Sequence, residues 1–317
     1  MSWFGAEIDG PMIATRTVHF TASAVTAGAL ICRDLVAEPA LRVEPHANAL
    51  VERQLRLLAW IGIAVAVVSG VTWVLLLTMS LSGEGLGEAV ISGALRDVLD
   101  LTQFGWVSQM RLGLATVLSI CLAFDRSELW RLLALGAAAA LVASIAWTGH
   151  AASTPSALGY LHLASDALHL VAAAAWIGGL IPLVLLLRTV GYHRGWSSLK
   201  LDAVRRFSIL AIISVATLTL SGFVNSWILV GSFRALVMTD YGQLLMLKLV
   251  VFTIMLVFAA INRLVLTPQL VSPSDEARQG ALDALSRNTL IEIALGLSIF
   301  AVVGVLGTQH PAAHLLK

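Results

Sequence analysis

Charge is what this 317-residue sequence has least of: Lys, Arg, Asp and Glu together make up 12% of it, against roughly 25% in a soluble globular domain. That density cannot coat a soluble protein of this size, and 58% apolar residues agree, so a soluble enzyme is excluded. The net charge is +1, which leaves neither a basic footprint for nucleic acid nor an acidic tail. Two cysteines cannot build a disulfide scaffold. Absent too are a Gly-rich nucleotide loop, an Asp-Lys-Thr-Gly phosphorylation motif and any soluble nucleotide domain, so no nucleotide is expected. There is no short repeat and no low-complexity tract. What remains is an all-α polytopic membrane protein whose first partner is the lipid bilayer, expected to bind or move something rather than to catalyse.

A bilayer core needs about 20 mostly apolar residues per helix. Eight segments qualify: Pro11–Ile31, Leu57–Ser80, Val107–Phe124, Leu129–Trp147, Leu161–Leu187, Phe207–Val230, Gly242–Val265 and Leu290–Gly307. The opening MSWFGAEIDG carries two acids and no Lys or Arg, unlike the basic start of a cleaved signal peptide, so the first segment is expected to be retained. Fourteen of the 20 Lys and Arg lie between, or at the adjoining ends of, segments 1 and 2, 3 and 4, 5 and 6, and 7 and 8. Basic loops stay in the cytoplasm, which predicts a multi-pass protein with both termini facing out, toward a periplasm or cell exterior. Residues 1–317 form one membrane domain. The longest outer loop, 81–106, holds a stretch, Glu88–Leu101, whose spacing predicts a short amphipathic helix lying on the outer face. Ser272–Ala284 is expected to be a polar cytoplasmic loop.

On that orientation His19, His150, His162, His169, His310 and His314 fall on the outer face or in the outer half of a span, and the methionines lean the same way. Imidazole and thioether together suit copper, as Cu(I) or Cu(II). His162, Asp166 and His169 share one stripe of the fifth helix. Asp166 either orients a ring from behind or marks a wet interior, because an intramembrane carboxylate is costly. Depth counting sets His150, His162 and His310 in a shallow layer above His19 and His169. The proposed ligands are therefore His19, His150, His162, His169 and His310. Asp166, Trp147, Met110, Asn225, Lys248 and Glu292 are candidates for a supporting shell or pathway, and Cys32 and Cys121, at inner helix ends, for an exit. Arg16 and Lys248 are expected either to reach the outer interface or to pair with Asp166 or Asp240. Arg206, Asn262, Arg263 and Glu292 are placed to join helices 6, 7 and 8, and Pro182 to kink helix 5.

The C-terminal third carries a recognisable series: Arg206-Phe207-Ser208, Ser221-Gly222, Gly231-Ser232 followed by Thr239-Asp240-Tyr241-Gly242, then Lys248, Asn262-Arg263, Pro268, Glu292 and Leu306-Gly307-Thr308-Gln309-His310-Pro311-Ala312. In this order it resembles the copper resistance protein D (CopD) family, most closely over residues 205–311. Upstream, Gly149-His150-Ala151 and His169 with Trp176-Ile177-Gly178-Gly179 are similar to its full-length bacterial members. The resemblance implies an inner-membrane protein of copper homeostasis that moves copper from periplasm toward cytoplasm and works beside a periplasmic copper-binding protein or chaperone. His310 departs from the family pattern, which has Pro before the position of Pro311. Two other functions fit the residues: a membrane redox protein holding b-type haem between paired His such as His19 and His169, and a scaffold that receives copper from a periplasmic chaperone on its outer loops.

Overall fold

The computed structural model describes residues 10–125, 127–149, 151, 154, 156–189, 197–272 and 274–314. Among them there is no strand, and eight helices are long and apolar enough to cross a membrane: α1 Gly10–Leu41, α2 Pro45–Ser82, α3 Gln103–Ala123, α4 Glu128–Thr148, α5 Ala157–Thr189, α6 Ser198–Val230, α7 Asp240–Gln269 and α8 Asp275–Leu306. Each predicted apolar run falls on one of these helices, with Phe124 and Gly307 one residue beyond the ends of α3 and α8. Eight alternating spans bring both described ends to one side, here the terminal face. The other side is the opposite face.

Several helices run past their apolar centres toward the opposite face. Ser272–Ala284 is largely helix rather than loop: Ser274 caps α8 by accepting from Ala277 N, and Asp275 and Glu276 complement the helix dipole in the first turn. At the terminal face the stretch predicted as one helix is two, Leu86–Ile91 and Ala94–Leu101. Gly93 separates them at φ +88°, a left-handed conformation that no helix continues through.

α1 and α5 form the centre, with 78% of each apolar stretch buried against 17% to 44% in the other spans. They cross at two glycines. A Cβ on Gly28 would collide with the backbone of Gly178 and Ala174, and a Cβ on Gly178 with the backbone of Ala24. Small residues let backbones approach closely where lipid supplies no hydrophobic drive between helices. Among the described residues three helices contain a widened, π-type turn: Arg33–Ala37, Ala174–Gly178 and Asn262–Leu266. A proline follows each within four residues, at Pro39, Pro182 and Pro268. The missing N–H and bulky ring of proline disrupt the preceding turn, and the wide turn absorbs that disruption inside a continuing helix.

At the opposite face buried charges tie α1 to the α3–α4 connection. Arg33 and Asp125, 2% and 1% exposed at their side chains, are paired, and Asp34 accepts from Arg33 at 2.7 Å and from Arg131 at 3.1 Å. Arg131 also pairs with Glu38. Across the bundle, Asn262 Nδ2 donates to Glu292 at 2.6 Å and Asn288 Nδ2 to Asn262 Oδ1 at 2.9 Å. Asn262 and Glu292 thus join α7 to α8, Arg263 donates to Ser208 of α6 at 2.5 Å, and Arg206 instead pairs with Asp202 on its own helix.

Candidate functional site

In α1 the His19 ring is buried, 5% exposed, against α2. Its Nδ1 donates to Ala66 O at 2.9 Å and lies 3.1 Å from Ser69 Oγ. A carbonyl can only accept, so this bond places the proton on Nδ1 and leaves the lone pair on Nε2. That lone pair is taken by the Arg111 guanidinium of α3. A Cβ at Gly70 would stand 3.2 Å from the ring, so the glycine leaves it room. One turn above, Arg16 donates to Gly307 O at the end of α8 at 2.8 Å, and its guanidinium carbon lies 5.1 Å from the centre of the Trp73 ring. Arg16 is therefore held by an aromatic face and a helix C-terminus, both favourable to a cation.

α5 carries the counterpart. His169 Nδ1 lies 3.0 Å from Ser221 Oγ on α6. Ser221 spends its own proton on Thr217 O at 2.5 Å, so its oxygen accepts from the ring. Nε2 of His169 is left with a lone pair and no hydrogen bond among the described residues. Asp166 accepts from Asn225 Nδ2 at 3.2 Å, while Asn225 Oδ1 is buried without a partner among the described residues. Lys248 of α7 acts electrostatically on both Asp166 and His169. Toward the terminal face His162 is 1% exposed, with Nδ1 2.8 Å from Thr154 Oγ1.

These two clusters are one arrangement used twice. His19, Ala22, Ala24, Gly28 and Leu30 recur about 150 residues later as His169, Ala172, Ala174, Gly178 and Leu180. Ser69-Gly70 under the first ring match Ser221-Gly222 under the second. Thr102 caps α3 by accepting from Gly105 N, and Thr239 caps α7 by accepting from Gly242 N, both at 3.0 Å. Counting on from those caps, Phe104 corresponds to Tyr241 and Arg111 to Lys248. Gly83 and Gly231 end α2 and α6 in the same left-handed conformation, φ +70°, and Thr148-Gly149-His150 matches Thr308-Gln309-His310. Helices α1–α4 and α5–α8 are thus two copies of a four-helix unit meeting at the Gly28–Gly178 crossing. Their chemistry has diverged: Arg16 and Trp73 in the first half stand where Asp166 and Asn225 stand in the second.

The remaining candidates are dispersed. His150 and the side chain of His314 lie outside the described residues, and His310 is exposed beyond α8. Met110 and Trp147 are 37% and 38% exposed on the bundle exterior. Cys32 and Cys121 are buried and unbonded to each other, and Glu292 belongs to the Asn262 cluster nearer the opposite face. Among the described residues no three His, Cys, Asp or Glu side chains converge on a point that would hold a metal ion. Nor do His19 and His169 face across a common gap. Each is turned into its own half, so the pairing expected for haem is not formed, and neither comparison below points to haem.

Fold and sites define a polytopic helical membrane protein built from two fused four-helix units. Residues 7–160 match the family described as "Copper resistance protein D-like, N-terminal domain", and residues 201–306 match "Copper resistance protein D". The chain belongs to the copper resistance protein D family, whose members carry names of copper resistance and copper transport. It is 29% identical over 308 residues to "Inner membrane protein YebZ" of Escherichia coli (strain K12), covering 94% of this chain and 98% of that protein. It is 29% identical over 262 residues to "Copper resistance protein D" of Pseudomonas syringae pv. tomato, 80% of this chain and 82% of that one. The "Copper transport protein CutJ" of Bacillus subtilis (strain 168) is 30% identical over 235 residues, 72% of this chain but 41% of the relative. No solved structure matches the chain significantly.

Proposed function

We propose that this protein handles copper as cargo in the bacterial inner membrane, accepting it at the terminal face on the periplasmic side and passing it inward along α5 through the second half of the bundle. The observation that carries this reading is the contrast between the two histidines. Nε2 of His169 offers an open lone pair one helical turn along α5 from Asp166, whereas Nε2 of His19 is occupied by a guanidinium. Imidazole with its other nitrogen tied back by a hydrogen bond is the usual state of a metal-ligating His. A carboxylate nearby lowers the cost of bringing a cation into a dry bundle.

The sparse donor set fits an ion in transit. A pathway must bind well enough to admit the ion and weakly enough to release it, so three converging ligands are not required at each step. His162, Asp166 and His169 follow one another down α5, with His310 and His150 as collecting groups at the mouth. A periplasmic copper-binding protein is the expected donor.

Copper uptake into proteoliposomes tests the route. His169→Ala and Asp166→Asn are each expected to lower uptake about ten-fold or more, while His19→Ala in the same assay keeps most of it. Wild-type uptake by both second-half variants removes the route. Copper binding without any uptake by the wild type moves the assignment to a receiving scaffold.

A further inference from the structure

The first half holds a cavity of about 280 Å³ between α2, α3 and the end of α4, roofed at the terminal face by Leu95 and Leu99 of the short helix Ala94–Leu101. Its wall is almost wholly apolar, with Trp73 and Phe104 set edge to face at 5.1 Å. At its inner side are two polar groups of unusual cost, His19 and Arg111. Arg111 is 6% exposed, yet one of its guanidinium nitrogens, Nη1, is buried with no hydrogen-bond partner. The other terminal nitrogen is spent on His19. A buried N–H left unmade costs several times what a satisfied one contributes, more when the group is charged, so such a group marks where something else binds.

Charge sharpens the identity of that partner. Among the described residues neither Arg16 nor Arg111 has a carboxylate within ion-pair distance, although Arg111 is buried and Arg16 half-buried in the terminal half of the bundle. Where the second half has Asp166 and Asn225, this half has Arg16 and Trp73. The cavity is thus a cationic, aromatic-walled space, the reverse of what a copper ion needs. It suits an oxygen acceptor with full or partial negative charge, carried on an apolar body that enters from the lipid. Predominantly apolar walls with a few convergent polar groups are the usual makeup of a small-molecule site.

We infer that the Arg111–His19 cavity is a binding site for a lipid-soluble molecule with an oxygen head group, the head accepting from Arg111 Nη1 and the apolar portion lying between Trp73, Phe104 and the Ala94–Leu101 roof. Two sources share this chemistry: the carbonyl of a quinone and the carboxylate of a fatty acid. The site is separate from the proposed copper route, so either assignment can fail without the other.

Titration of the purified, delipidated full-length protein with a decyl-chain ubiquinone analogue and, separately, with palmitate tests the inference, read by tryptophan fluorescence and repeated in Trp73→Phe to isolate the wall residue. Saturable binding of at least one probe is expected. It should weaken about ten-fold or more in Arg111→Gln, which removes the charge, and in Ser108→Phe, which fills the cavity while leaving the guanidinium in place. His169→Ala should bind as the wild type does. The probe that binds names the source. Absence of saturable binding by both probes overturns the site, as does undiminished binding in Ser108→Phe, a variant that decides the matter even where Arg111→Gln fails to fold.

Discussion

Single atoms separate the two halves. His19 and His169 sit at matching positions, each donating from Nδ1 to the matching turn of the next helix. The occupant of Nε2 differs, and that difference turns one imidazole into a structural acceptor and leaves the other open. The same scale governs the central crossing. Gly178→Ala is expected to destabilise the purified protein by about 1–3 kcal/mol or more, because its methyl meets the Ala24 backbone and neither central helix can retreat. Gly136→Ala, with nothing within 4 Å, should unfold with the wild type. Thermal unfolding in detergent compares the two. An equal effect from both would show that close packing at the crossing is not what glycine secures there.

Elements here owe their shape to punctuation that is legible in the chain. Three prolines mark three widened turns, Thr102 and Thr239 start α3 and α7, and Gly83 and Gly231 end α2 and α6. Apolar run length placed all eight spans, since a lipid-spanning helix must satisfy its backbone internally and be apolar throughout. Helix extensions beyond the bilayer were less legible, because polarity there reads equally as loop. The ion network at the opposite face was not foreseen at all: Arg33, Arg131 and Asp125 read as loop charges until folding brings them together. Asp125→Ala leaves Nη1 of the buried Arg33 without its partner while Asp34 stays on Nε and is expected to cost about 1–3 kcal/mol, measurable as loss of folded yield and a lowered unfolding temperature. Asp100→Ala, on the exposed Arg96 pair, should change neither.

At the scale of the molecule the duplication organises everything else. It brings the two most buried helices, one from each unit, to a common crossing and leaves the others at the lipid boundary. It also predicts topology: equivalent helices of the two units run in the same direction. Alkaline phosphatase fused after residue 314 is expected to be active, as is one inserted near Gly85, while fusions near Arg42 and Val271 should be inactive. Activity on both sides of α8 would contradict eight alternating spans. The repeat lies in the sequence, but its period is long and the connections of the two units differ in length, so matched residues drift out of step. The shared His-Ala-Ala-Gly and Thr-Gly patterns emerge clearly only once the caps and crossings align them.

Composition and run length by themselves determined the membrane environment, the all-α class, the eight spans and, through the ordered series of motifs, the family. They did so because a bilayer demands long apolar helices whatever their neighbours are. Which polar residues meet was decided only by tertiary structure. Periodicity put His162, Asp166 and His169 on one stripe of α5, but it could not pair His19 with Arg111, set Asn225 against Asp166 or carve the Arg111 cavity. Those contacts join residues far apart in the chain, and a helix face acquires its partner only when another helix packs against it.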